Sequence, residues 1–205
     1  MKRILTVFLA LLMVVSLSAC GGKTNSASPS DLFVPDPPTL PSEDNPAAAG
    51  AANATELMDA VWAKYGEDER FPVIGGDMDH AAEDGPDVYS VEDPAMLDSD
   101  FGLPAAVADK VDEAASIRHM MNVNTFTGVA FHVTSAGDVQ TVADALKDSV
   151  MAREWLCGFP DKLVIILVND YVISLFGNEE LVDAFQAKAL ETFDAATVAY
   201  DEPLV

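Results

Sequence analysis

The sequence predicts an α+β domain in which an antiparallel sheet of about four strands packs against helices. Three observations carry that expectation. Lys162 to Phe176 holds two apolar runs around Asn169-Asp170, the pattern of a tight hairpin. Thr125 to Thr134 is rich in β-formers, with Val129, Phe131 and Val133 at every second position. Two later stretches repeat apolar residues at the 3.6 period of a helix. The implied core is β-β-α-β-β-α, preceded by an N-terminal helix and a long acidic loop region.

In chain order, the domain opens with a helix over Asn53 to Tyr65. Asn53 and Glu56 suit a reciprocal cap, and Leu57, Met58, Val61, Trp62 and Tyr65 form one apolar stripe. Gly66 ends it. Residues 67–103 read as an acidic, irregular segment broken by Pro72, Gly75-Gly76, Gly85-Pro86 and Pro94, with Phe71 to Ile74 and Val88 to Val91 as brief strands or apolar plugs. Pro104 suits the first turn of a short helix over Ala105 to Lys110. Alternation at Ala115, Ile117, His119 and Met121 then favours a strand over a competing helix through Val107, Val111 and Ala114.

After the 125–134 strand, Gly137-Asp138 opens a helix with Val139, Val142, Ala143, Leu146 and Val150 on one side. In the hairpin, a two-residue turn sets Val168 opposite Tyr171. One face then carries Val164, Ile166, Val168, Tyr171, Ile173 and Leu175, and the other Leu163, Ile165, Leu167, Val172, Ser174 and Phe176. Both faces are apolar, so both need cover, from helices or from a partner such as an envelope protein, a peptide or a second copy in a homo-oligomer. Gly177-Asn178 opens the last helix, with Leu181, Val182, Phe185, Ala189 and Phe193 inward.

Ahead of the domain, Lys2 and Arg3 precede an apolar run from Ile4 to Val15, too short for the roughly 20 residues that span a bilayer. The run ends in Ser16, Leu17, Ser18, Ala19 and Cys20, as cleavable export signals do. Leu17-Ser18-Ala19-Cys20 resembles the lipobox of bacterial lipoproteins, with Gly21-Gly22 as its usual continuation. The resemblance implies cleavage before Cys20 and a diacylglyceryl group on its sulfur. Each buried acyl methylene contributes about 0.8 kcal/mol, and one chain alone binds only reversibly, so two or three chains hold the protein. Residues 1–19 are thus the signal peptide, and 53–205 the domain. Residues 20–52 are the lipidated N-terminus and a stalk rich in Gly, Ser, Pro and Ala, in which Leu32-Phe33-Val34 is the one apolar island. The expected location is the extracytoplasmic face of the cell membrane.

Loss of the leader removes two of 11 basic residues and none of 34 acidic ones, leaving a side-chain balance of −25. Such a surface repels phosphates, which argues against nucleic acid and against a basic membrane-docking patch, and gathers cations or basic partners. With Cys20 lipidated, Cys157 is the only other cysteine, so no intrachain disulfide forms and stability rests on an apolar core.

Candidate chemistry is sparse. Cys157, in Trp155-Leu156-Cys157-Gly158-Phe159-Pro160, is either an inert thiol among apolar neighbours or a nucleophile paired with His119 or His132, which face each other if their strands pair. Asp77, Asp79, Glu83, Asp84 and Asp87 are either solvated loop charges or oxygen ligands for a hard cation such as calcium, although the Asp-x-Asp-x-Asp-Gly order is absent. The chain carries no phosphate-binding Gly loop, Gly-x-Ser-x-Gly elbow or His-Glu-x-x-His. No cofactor is called for.

Residues 112–116 (Asp-Glu-Ala-Ala-Ser), 119–127 (His-Met-Met-Asn-Val-Asn-Thr-Phe-Thr) and 155–163 (Trp-Leu-Cys-Gly-Phe-Pro-Asp-Lys-Leu) resemble a family of exported clostridial lipoproteins. Asp170-Tyr171-Val172 and Phe176-Gly177-Asn178 extend the likeness over about residues 71–193. Some members are labelled bacteriocin transport accessory protein, and the wider set consists of small Firmicute lipoproteins of unknown role. Thioredoxin-like proteins of that label carry Trp-Cys-x-x-Cys. Here Trp155 stands two residues before a single cysteine, which excludes two-thiol exchange. The resulting expectation is a non-enzymatic binding or accessory module for an envelope partner, with a thiol-dependent enzyme or a calcium-stabilised module as alternatives.

Overall fold

A computed structural model describes residues 51–121, 125–156 and 158–204. Cys20, Cys157 and the Leu32-Phe33-Val34 island lie outside the described residues, as do the leader and nearly all of the stalk. Among the described residues, no helix is long and apolar enough to cross a membrane.

The elements are α1 (Ala54–Trp62), β1 (Val73–Gly75), β2 (Ala82–Glu83), β3 (Asp87–Val88), α2 (Pro94–Phe101), β4 (Val111–His119), β5 (Phe126–Val133), α3 (Val139–Ala152), β6 (Lys162–Val168), β7 (Tyr171–Gly177), α4 (Glu179–Thr192) and β8 (Ala196–Pro203). All eight strands join one sheet, in the order β2-β1-β4-β5-β7-β6-β8, with β3 also on β4. Every pairing is antiparallel. The α+β class holds, but the sheet has eight strands rather than about four.

The surplus has two sources. The acidic segment 67–103 is not one long loop: it supplies β1 to β3 and α2. Of the two stretches expected there as brief strands or apolar plugs, Phe71 to Ile74 overlaps β1 and Val88 to Val91 overlaps β3, whereas β2, of two residues, is too short for alternation to reveal it. In α2 the Asp93 side chain accepts from the amides of Ala95 and Met96, Pro94 occupies the first turn, and Gly102 closes the helix at φ 78°. The eighth strand, β8, ends in Asp201-Glu202-Pro203. Those residues are poor strand formers tolerated at a sheet edge. Between them, the helix expected over Ala105 to Lys110 shrinks to a 3₁₀ turn at Ala108–Lys110, and β4 starts at Val111.

The hairpin pairs as its turn demands, Val168 with Tyr171 outward to Lys162 with Gly177. Its first face packs on α4, in a core layer with Val182, Phe185 and Ala189 that α1 extends over β4 and β5 through Leu57, Met58 and Val61. Its second face packs on α3, in a layer with Val142, Leu146 and Val150 that α2 extends over β5 through Phe101. Helices therefore cover both faces, and no partner is needed there. Burial of each such Val, Leu or Ile side chain contributes about 1.5–3 kcal/mol, so these two layers dominate the stability.

Candidate functional site

Most of the residues singled out from the sequence do structural work. Asp77 organises its loop: Oδ1 accepts from the amides of Asp79 and His80, each at 2.9 Å, and meets His80 Nδ1 at 3.0 Å, while Oδ2 accepts from the Ser90 amide at 2.8 Å. Burial pushes its pKa up, but these donors outweigh burial and hold it below the ordinary carboxylate value. Glu83 lies in β2 opposite Ile74, the Asp84 carbonyl accepts from Trp62 Nε1 at 2.7 Å, and Asp87 Oδ1 accepts from the Val88 amide at 2.7 Å. Among the described residues, no three His, Cys, Asp or Glu side chains converge as metal ligands would.

The two histidines do not face each other. Register sets His132 opposite Glu113, whereas His119 ends β4 opposite Val73. His119 stacks on Phe71 at 5.3 Å, and burial pushes its pKa down. His132 bridges two carboxylates, with Nδ1 2.5 Å from Asp112 and Nε2 3.3 Å from Asp170. Burial opposes its charge, yet hydrogen bonds and charge from Asp112 and then Asp170 outweigh burial and raise its pKa.

Two hollows open on the surface, one beside α2 and one beyond α3. The first, of about 450 Å³, is lined by Asp77, Met78, Tyr89, Asp93, Met96, Asp100 and Arg118. Its polar floor is largely committed internally, Arg118 Nε being the buried donor without a partner. Asp100 Oδ2 accepts from the Tyr89 hydroxyl at 2.9 Å and from Arg118 Nη1 at 3.1 Å, and Arg118 Nη2 donates to the Gly76 carbonyl at 3.0 Å. Burial, and then Asp100, push the Tyr89 pKa up to about 12, so the phenol stays a donor.

The second lies beyond the C-terminal end of α3. The loop from Arg153 to Asp161 leaves the helix, and the ring of Trp155 turns in against Phe176, 5.5 Å away. Arg153 lies over that ring at 5.3 Å and donates through Nη2 to the Asp98 carbonyl. Two apolar residues of the loop face solvent: Leu156 is 90% exposed and Phe159 73%, with Met151 half-exposed at the helix end.

Beneath Phe159 is a hollow of about 470 Å³, lined by Met151, Arg153, Trp155, Phe159, Pro160, Asp161, Pro203 and Leu204. An adjoining hollow of about 390 Å³ shares Asp161, Pro203 and Leu204 and adds Lys162, Glu179 and Asp201. They lie on opposite faces of the sheet, the first on the α3 face, where Trp155 packs on Phe176, and the second on the α4 face, where Lys162 meets Asp183. The residues they share form the wall between them, and the first hollow is a groove between the Arg153–Asp161 loop and the end of β8. That wall is fixed by the backbone. The Leu204 amide donates to the Asp161 carbonyl and the Asp161 amide to the Gly177 carbonyl, both at 2.8 Å. Gly177, at φ 150°, is required there, since a Cβ would sit 2.2 Å from the Thr125 carbonyl oxygen. Asp161 Oδ2 accepts from the Glu179 amide and Asn178 Nδ2, each at 3.2 Å, and so caps α4.

Comparison with known proteins gives no identity. No protein family, curated protein or solved structure matches this chain. The groove is the feature that sequence reasoning missed. Trp155, Phe159 and Pro160 signal an aromatic loop, but the second wall comes from β8, some 40 residues on.

Proposed function

We propose that this chain is a membrane-anchored extracytoplasmic lipoprotein, held by lipid at Cys20, whose domain is a non-enzymatic binding module for an envelope protein or peptide. The groove between the Arg153–Asp161 loop and the end of β8 is its docking site. One observation carries the reading: with Met78, Leu156 and Phe159 are the most exposed large apolar side chains among the described residues, and Phe159 lines a hollow. Such a patch with a polar rim is the usual mark of an interaction surface. The anchor rests on Lys2-Arg3, the apolar run and Leu17-Ser18-Ala19-Cys20.

A photo-crosslinking residue at position 159, in cells making the full chain, tests the docking site. A discrete adduct is expected there and not from the exposed position 109. Equal labelling at both positions would remove the groove from consideration. For the anchor, Cys20→Ala is expected to abolish incorporation of a labelled fatty acid and to release the protein from membranes. Retained labelling would refute lipidation at that sulfur.

A further inference from the structure

Resting on that docking site, we infer that the hollow beneath Phe159 takes a partner's peptide segment that sets an apolar side chain against Phe159 and Leu204 and an aspartate or glutamate carboxylate on the Arg153 guanidinium. Charge complementarity carries the argument. The chain has 34 acidic residues against 11 basic ones, and most of its cations are already paired. Lys64, Lys110, Arg118, Lys147, Lys162 and Lys188 each meet a carboxylate at 3.3 Å or less. Among the described residues, only Arg70 and Arg153 lack such a partner. Arg70 stands exposed over Trp62 and lines none of the hollows described above. Arg153 lines the apolar hollow itself.

The Arg153 guanidinium is held in place without being neutralised. It lies over the Trp155 ring at 5.3 Å, and Nη2 donates to the Asp98 carbonyl, so neither contact supplies an anion. A guanidinium has five N–H donors in a flat fork that matches a carboxylate, and the carbonyl takes one of them. Asp161 also lines the hollow, but its carboxylate is turned to the start of α4, where it accepts from the Glu179 amide and Asn178 Nδ2. Met151, Trp155, Phe159 and Leu204 exclude water from one side, which strengthens a charge pair formed there. A partner's lysine would instead meet Arg153 as a like charge. The net charge of −23 repels a strongly acidic partner at long range, so the segment that fits brings one carboxylate rather than a run of them.

Tryptophan fluorescence of the full chain in uncharged detergent reads this directly. Trp62 is 4% exposed, within the α1 core, so a response on binding reports Trp155. The probes are short end-capped peptides of Gly and Ser around a central Leu-Glu-Leu, Leu-Gln-Leu, Leu-Lys-Leu or Ser-Glu-Ser, in salt of about 0.15 M, where long-range repulsion is screened. Saturable binding is expected for Leu-Glu-Leu, about threefold to tenfold tighter than for Leu-Gln-Leu, with Leu-Lys-Leu weaker still. Ser-Glu-Ser, without the apolar contact, is expected to bind about tenfold more weakly than Leu-Glu-Leu. Arg153→Gln is expected to bring Leu-Glu-Leu down to the affinity of Leu-Gln-Leu while leaving Leu-Gln-Leu unchanged, and Arg70→Gln to change neither. Equal weakening of both peptides by Arg153→Gln would show that the guanidinium only shapes the loop, and would overturn the inference. Equal binding of Leu-Glu-Leu and Leu-Gln-Leu to the wild type would overturn it too, and loss of both in Phe159→Ser would then leave the docking site standing without a charge preference. No response to any peptide at millimolar concentration also overturns the inference, and the crosslink at position 159 then decides the docking site alone.

Discussion

The β6–β7 hairpin and the segment from Phe71 to Phe101 both belong to the same sheet, yet opposite forces hold them. Every residue of β7 is buried, and the hairpin is sealed between two helical layers almost wholly by apolar contact, with the Lys162–Asp183 ion pair at its end. The earlier segment buries only a few anchors, among them Val73, Tyr89, Leu97 and Phe101, and is otherwise stitched by side chains to backbone through Asp77, Asp93 and Arg118. Burial is cumulative and indifferent to which single hydrogen bond is lost. Stitching is local and depends on individual carboxylates. The first region should therefore fail by truncation of apolar side chains, and the second by loss of a charge.

The largest expected effect tests the hairpin. Ile166 and Ile165 are both fully buried but face opposite layers. Ile166→Ala and Ile165→Ala should each lower the unfolding free energy by about 2–5 kcal/mol, read from the denaturant midpoint. A cost below about 1 kcal/mol for either would mean that its layer is not packed as described.

Asp77→Ala tests the stitched segment. It frees the amides of Asp79, His80 and Ser90 at once, but those amides reach water, so the expected cost is about 1–2 kcal/mol. The loss should be confined: hydrogen exchange should speed at residues 77–90 and stay slow in β6 and β7. Uniform acceleration would show that the segment is one cooperative unit with the hairpin.

The same contrast explains what the sequence disclosed. The hairpin was legible to the residue because period-two alternation and a two-residue turn, with Asn169 at φ 54°, are local properties. The faces of α3 and the inward residues Val182, Phe185 and Ala189 of α4 were legible for the same reason. By contrast, α2 buries only Leu97 and Phe101, too few to show a period, although Asp93, Pro94 and Gly102 mark its ends. The candidate site was half legible. An aromatic loop at 155–160 is visible in sequence, but its exposure depends on where β8 lies. Likewise, nothing local joins His132 to Asp112 and Asp170, which stand 20 and 38 positions away.

A smaller effect separates the two histidines by sign. The folded pKa of His132 is raised, so its stabilisation is fully present below the ordinary value near 6.5 and is lost as pH rises through the folded value. For His119 the folded pKa is lowered, so its contribution is present above the ordinary value and lost as pH falls through the folded one. The two partly cancel in the wild type. In His119→Gln the melting temperature should fall from pH 6 to pH 8 more steeply than in the wild type, and in His132→Gln it should fall less or rise. Identical pH slopes in both variants would contradict the Asp112–His132–Asp170 bridge.

The smallest effect on stability is expected at the groove, where an aromatic residue is deleted. Phe→Ala in a packed core costs about 3–5 kcal/mol, because burial is lost and a cavity opens. At Phe159 neither happens: the ring is 73% exposed and closes one side of an open hollow. Phe159→Ser should therefore shift the unfolding free energy by no more than about 0.5 kcal/mol in either direction. Trp155→Ala, whose ring packs on Phe176 and carries Arg153, should cost more than its neighbour four positions on. If Phe159→Ser instead destabilises the domain as a core truncation does, the ring is part of the α2–α3 layer, and the exposed patch that carries the docking site is lost. If it leaves stability intact while removing the adduct formed by a crosslinking residue at the neighbouring exposed position 156, then the aromatic ring is kept at the surface for contact with a partner.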